Sequence, residues 1–260
     1  MLTRLPASVP ASKLACIAAS AVAASSWGAK RTIHLPRFAN CCRVNIDANA
    51  SFEVREETYT LPDTLLRFPV GNTPPDVGLP AEMLGVVVAP VNASGPRPVA
   101  LFIHGQAATC YDATTGEGSQ YYPCPEGSDS VANYRGYLVH QRYLAARGWV
   151  TVSISANGVN GSPLREDEAS DATMRGELVE NHLRRWVSWV AGDRASPQPA
   201  LLAGAQPDLQ RLMVIGHSRG ASAANQVALR SVALRNLHGA GRAGCIVASE
   251  RASDCDRRAS

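Results

Sequence analysis

The stretch that most constrains the fold is Leu212-Met213-Val214-Ile215-Gly216-His217-Ser218-Arg219-Gly220. Four apolar residues end abruptly in Gly-x-Ser-x-Gly. Behind them Ala224, Val227 and Ala228 recur at helical spacing, with Arg230 and Arg235 on other faces. A strand that turns this sharply into a helix forces the residue at the apex into a strained backbone and lifts its side chain clear of the sheet. Gly216 and Gly220 are expected where a Cβ would collide with the neighbouring strand or helix. The five-residue pattern is weak alone, and the strand before it and the helix after it give it meaning. Ser218 is therefore the candidate nucleophile, with Gly216, His217 and Gly220 forming the turn.

A second informative stretch is Val99-Ala100-Leu101-Phe102-Ile103-His104-Gly105-Gln106. A continuous apolar run of this length suits a strand buried on both faces, as in the middle of a mostly parallel sheet. Acyl transfer builds negative charge on a carbonyl oxygen, and that charge needs preorganised backbone donors. Gly105 permits a tight turn after the strand. The N–H of Gln106 is then one candidate oxyanion donor, and the N–H of Arg219 is the other.

The remaining chain fits the same layered plan. Ser51 to Leu61 alternates Phe52, Val54, Tyr59 and Leu61 against charged neighbours, and Leu84 to Val91 is an apolar run. Both look like antiparallel opening strands, with Pro69, Pro74, Pro75 and Pro80 marking loops between them. Gln106 to Gly136 reads as a long Gly- and Tyr-rich insertion overhanging the site. Its Tyr111, Asp112, Tyr121 and Tyr122 are candidate pocket residues, although a solvated loop is an equal alternative. Leu138 to Arg147 predicts a helix closed by Gly148, Trp149 to Ser155 the next strand, and Asn157 a possible pocket residue at its carboxyl end. Asp171 to Val190 predicts an amphipathic helix burying Val179, Leu183, Trp186, Val187 and Val190, with His182 a satisfied helix histidine. The fold class is α/β: a mostly parallel central sheet flanked by helices.

Composition limits the alternatives. A chain of 260 residues, 45% hydrophobic and 18% charged, holds one sizeable domain, taken here as residues 45–250 before a polar tail at 251–260. A net charge of +3 with scattered arginines gives no footprint for nucleic acid or an anionic membrane. Residues 1–30 resemble a secretory signal peptide, with Arg4 and Lys13 before the small apolar run Leu14 to Ala24 and an A-x-A site at Ala21-Val22-Ala23. A disordered Ala/Ser-rich leader is the alternative. The run is too short for a stable membrane anchor. Six cysteines remain beyond Cys16: Cys41, Cys42, Cys110, Cys124, Cys245 and Cys255. None has metal-ligand spacing with histidine, so no metal or other cofactor is expected. Cys110 with Cys124 is the preferred disulfide, closing a loop of about 15 residues worth on the order of 3 kcal/mol in the chain-entropy model, with two free thiols the alternative. These features point to a secreted, periplasmic or extracellular location.

With these residues in place, the chain resembles the α/β-hydrolases, and more narrowly their secreted bacterial lipase- and esterase-like members. The resemblance rests on Leu-Phe-Ile-His-Gly (101–105) before a Cys-containing loop (Cys110-Tyr111-Asp112, then Pro123-Cys124-Pro125), on Val-Ser-Ile-Ser-Ala-Asn-Gly (152–158) and on Val-Ile-Gly-His-Ser-Arg-Gly (214–220). It implies a serine esterase or lipase-like hydrolase that cleaves a small-molecule carboxylic ester or related acyl bond through an acyl-enzyme on Ser218. In that family the acid and histidine follow the serine in chain order. Here 42 residues follow Ser218, and the only later histidine, His238, falls about 30 Å away if the helix runs unbroken at 1.5 Å per residue. Asp254 and Asp256 read as solvated charges, His104 as a buttress of its turn, and His217 as pointing away. The expectation is a C-terminally incomplete hydrolase fold with impaired activity. A non-catalytic hydrolase-like binding module and an acyltransferase of the same fold are the alternative functions, and no protein partner can be named.

Overall fold

The computed structural model describes residues 52–66, 78–162, 168–193, 195 and 198–237. The expected leader, the polar tail, His238 and Cys41, Cys42, Cys245 and Cys255 lie outside the described residues. In chain order the elements are β1 (Val54–Leu66), β2 (Leu79–Pro90), β3 (Arg97–Ile103), the two-residue strands β4 (Cys110–Tyr111), β5 (Gly118–Ser119) and β6 (Asp129–Ser130), then a 3-10 turn (Asn133–Tyr137) leading into α1 (Leu138–Ala145). After these come β7 (Val150–Ile154), α2 (Asn157–Asn160), α3 (Glu168–Val190), α4 (Leu201–Ala205), β8 (Pro207–Gly216) and α5 (Arg219–Leu237).

Five strands form the main sheet in the order β1-β2-β7-β3-β8. β7, β3 and β8 are parallel, whereas β1 with β2 and β2 with β7 are antiparallel. The sheet is thus evenly mixed rather than mostly parallel. The short link from β2 to β3 leaves no room for a crossover element, so the chain reverses direction there, and β7 inserts between the two strands. β1 slips register between Leu61 and Thr64, where Pro62 has no N–H to give the ladder. Pro80, expected in a loop, lies inside β2 opposite Leu65. It is tolerated because β7 pairs only with Gly85 to Val88 and makes no demand on that end of β2.

The central strands are buried on both faces, as the unbroken burial of Val99 to Ile103 and Val150 to Ile154 shows. On one face Ala100, Phe102, Trp149 and Ile215 pack with Tyr137 and Leu144 of the 3-10 turn and α1. On the other, Val99, Leu101, Ile103 and Val214 pack with Leu178, Val179 and Trp186 of α3 and with Ala223, Ala224 and Val227 of α5. The inward side of α3 keeps Val179, Trp186 and the partly buried Leu183 of the expected stripe but not its two other valines. Val187 and Val190 are half-exposed, at 53% and 50%, while Asp171, Arg175, His182 and Trp189 are buried. Charged and aromatic groups that find partners inside the protein displace valines from the stripe that hydrophobicity alone would choose.

The 106–136 segment is also more ordered than a loop. β4 pairs with β5 on one side and β6 on the other, giving a three-stranded sheet, and Cys110 is bonded to Cys124 as expected.

Candidate active site

The last residue of β8 is Gly216, and α5 begins at Arg219, so the whole change of direction occurs over His217 and Ser218. Ser218 takes a φ of 52°, in the left-handed region that costs a non-glycine residue about 1–2 kcal/mol. Two hydrogen bonds close the first turn of α5: Gly220 N–H to His217 C=O at 2.9 Å and Ala221 N–H to Ser218 C=O at 2.8 Å. A Cβ on Gly216 would run into the backbone of Gly220, and one on Gly220 into the Ile103 carbonyl of β3. These are the collisions the sequence leads one to expect, and they involve backbone that cannot rotate away. Ser218 stays partly accessible at the carboxyl edge of the sheet.

β3 ends beside this turn, with Ile103 opposite Gly216. Gly105 follows at once. A Cβ there would lie 2.7 Å from the His217 carbonyl, 2.9 Å from the Ser218 Cβ and 3.4 Å from the Arg219 amide nitrogen. Gly105 therefore packs closely against the His217–Arg219 turn, and the chain continues from there into Gln106. Among the described residues neither the Gln106 nor the Arg219 N–H donates a hydrogen bond. Two unpaired amides beside an accessible serine are the arrangement that receives charge from a carbonyl oxygen.

His104 supports the turn and has no freedom left for catalysis. Its Nε2 accepts the Ala156 N–H at 2.9 Å, so that nitrogen carries no proton. The proton is then on Nδ1, which donates to the Gly105 carbonyl at 2.9 Å. Burial, with the nearby Arg175 charge adding to it, pushes the imidazole down to about 4. His217 is exposed on the outside of the turn. His182 is deep in the core, hydrogen-bonded through Nδ1 to the Tyr59 hydroxyl at 2.7 Å, with burial pushing it down to about 3. Among the described residues no imidazole or carboxylate hydrogen-bonds the Ser218 hydroxyl.

The remaining candidates serve the scaffold around the serine. The Asn157 side chain donates to the Val131 carbonyl at 2.8 Å and to the Ser130 hydroxyl at 3.4 Å, and accepts from Asn133 at 2.8 Å. It ties the small sheet to α2 and has no group free for a ligand. Asp112 accepts the Thr114 and Thr115 amides in its own turn, and those hydrogen bonds hold its carboxyl below the usual range. Tyr111 and Tyr121 are exposed, and the Tyr122 hydroxyl donates to Asp63 at 2.7 Å. No hydrogen bond among the described residues joins any of these five to Ser218.

Four residues near the site were not singled out from the sequence. Arg175 and Asp171 form a fully buried pair at 2.7 Å. The Arg219 guanidinium reaches the same carboxylate at 3.4 Å, and Asn160 bonds both Arg175 and the Gly105 carbonyl. Glu82, whose carboxyl is raised by burial, receives the Asn157 and Gly158 amides at 2.5 and 2.7 Å and fixes the start of α2. The i,i+4 spacing of Asp171 and Arg175 was visible, but on a helix such a pair ordinarily marks a solvated face. Among the described residues no cluster of three or more His, Cys, Asp or Glu side chains could hold a metal ion, and no helix is long and apolar enough to cross a membrane.

No protein-family model matches the chain, and no curated protein matches it. Among solved structures it is similar to esterase B from Lactobacillus rhamnosis, in a structure with a tributyrin phosphonate, at 18% identity and a TM-score of 0.34. The match covers 77% of this chain and 48% of the esterase, so the chain spans about half the length of that neighbour. At this distance the site rests on its own geometry: a serine on a strained strand-to-helix turn packed against Gly105, with the Gln106 and Arg219 N–H groups unpaired among the described residues.

Proposed function

We propose that the protein is a serine hydrolase of the esterase type, acting on carboxylic ester or related acyl bonds. Ser218 Oγ attacks the carbonyl carbon as its hydroxyl proton passes to solvent water, the carbonyl π electrons move onto oxygen, and the oxyanion sits against the Gln106 and Arg219 amides. Collapse of that intermediate expels the leaving group as an alkoxide or phenolate, protonated by solvent where its basicity requires, and leaves an ester on Ser218, which water then hydrolyses to release the acid and restore the serine hydroxyl. The observation that carries this reading is the left-handed Ser218, packed so closely against Gly105 that a Cβ there would collide with it. A strained non-glycine residue persists where surrounding structure holds it, and such residues cluster at reacting centres.

No general base is evident among the described residues, so the reading is of a slow acylating serine. An oxyanion hole and substrate binding alone leave roughly 10³–10⁴-fold catalysis over water when a triad member is missing. A p-nitrophenyl ester suits the test because its leaving group departs without a proton. Hydrolysis of p-nitrophenyl acetate and butyrate that disappears in Ser218→Ala is the expected result; turnover that survives in Ser218→Ala, or none in the parent, overturns the proposal.

The same lack of a base favours one second reading, a hydrolase-like module that binds a ligand without turning it over. Folded protein that resists a serine-directed fluorophosphonate would support it. The Cys110–Cys124 bond is compatible with an oxidising compartment, and we place the protein outside the cytoplasm on that basis together with its leader-like first thirty residues.

A further inference from the structure

We propose that the buried Asn160, Arg175 and Asp171 are positioning residues that set the direction of the oxyanion-binding amides, an assignment that rests on the esterase reading. The Gly105 carbonyl accepts from Asn160 Nδ2 at 3.2 Å and from His104 Nδ1 at 2.9 Å, both on the buried side. A trans peptide places its N–H opposite its C=O. Holding the Gly105 carbonyl inward therefore turns the Gln106 N–H outward, away from the buried set, where it meets no protein acceptor among the described residues.

Asn160 is held in turn. Arg175 donates to Asn160 Oδ1 through Nη2, which commits the amide oxygen there and leaves the amide Nδ2 for Gly105. The same guanidinium donates to the His104 carbonyl at 3.2 Å, fixing the preceding peptide as well. Asp171 then orients the guanidinium, accepting from its Nε at 2.7 Å and its Nη2 at 3.3 Å. Its Oδ1 also receives the Arg219 side chain at 3.4 Å, so one carboxylate is linked to both residues that supply amides to the site. Asn160, Asp171 and Arg175 are all at most 1% exposed. A buried charged set of this kind fixes geometry more than it stabilises, because its Coulombic gain is offset by desolvation.

The test is Asn160→Asp, which keeps the shape and the acceptor for Arg175 but replaces the donor to Gly105 with an oxygen. Parent, Asn160→Asp and Ser218→Ala are compared for p-nitrophenyl butyrate hydrolysis and for thermal midpoint. Removal of a whole oxyanion donor typically costs about 10²–10³ in kcat, and misdirecting one is expected to lower kcat about 10- to 100-fold, with KM changed less than about twofold. A merely structural role would shift the midpoint without this split. Where Asn160→Asp fails to fold, Asn160→Ser, which adds no charge, is judged by the same criteria. Ser218-dependent turnover in the parent with an unchanged kcat in the variant, or a change confined to KM, overturns the positioning role and leaves the esterase reading intact. No Ser218-dependent turnover in the parent overturns both.

Discussion

Gly105 leaves no room for a side chain against Ser218: a Cβ on Gly105 would stand 2.9 Å from the Cβ of Ser218 and 2.7 Å from the carbonyl oxygen of His217. The obstructing atoms belong to main chain and to a Cβ, which cannot swing aside as the end of a long side chain can. Gly105→Ala must push β3 and the serine turn apart. We expect a stability loss of about 1–3 kcal/mol and at least about a 100-fold loss of Ser218-dependent ester hydrolysis. Denaturant titration and p-nitrophenyl acetate kinetics on the same preparation check both.

Ser218 itself should show a conflict between stability and chemistry. At φ 52° the serine pays for a conformation that glycine adopts freely. Ser218→Gly is expected to raise the unfolding free energy by about 0.5–1 kcal/mol, after the larger chain entropy of glycine is counted, while abolishing acylation. A midpoint in urea no higher than that of Ser218→Ala would show that the turn is unstrained.

Acid should weaken the fold through two buried imidazoles. His104 and His182 are pushed from 6.5 down to about 4 and about 3 by burial, so between those values the unfolded chain binds more protons than the folded one. Their contribution is present in full above pH 6.5 and is lost as the pH falls toward 4 and 3, at a slope approaching about 1.4 kcal/mol per pH unit for each. Glu82 acts in the opposite sense, since burial raises it and its ionisation disfavours the fold as pH rises. The difference between parent and His182→Asn isolates one imidazole. Unfolding free energies measured between pH 7.5 and 5 should fall less steeply in the variant.

The Cys110–Cys124 bond closes a short loop around the small sheet next to the site. Replacing both cysteines by serine, or reducing the bond, is expected to lower the unfolding free energy by about 2–3 kcal/mol. Equal denaturant midpoints with and without reductant would show that the bond contributes nothing to the fold.

Much of this protein is written in local pattern. The apolar run that breaks at Gly216 and resumes at helical period already fixes β8, the turn and α5, because steric exclusion around Gly-x-Ser-x-Gly acts over five residues. The uninterrupted run from Val99 to Ile103 likewise specifies a strand buried on both faces, and the buttressing role of His104 follows from its place at that strand's end. What the sequence left undecided depends on partners distant along the chain. Arg175 meets His104 across 71 positions, and no periodicity within α3 reports it. The burial of Asp171, the outward turn of Val187 and Val190, and the insertion of β7 between β2 and β3 have the same origin. Each is set by which surface a neighbour offers, and a charged group goes inside only where tertiary contacts supply every hydrogen bond that water would have made.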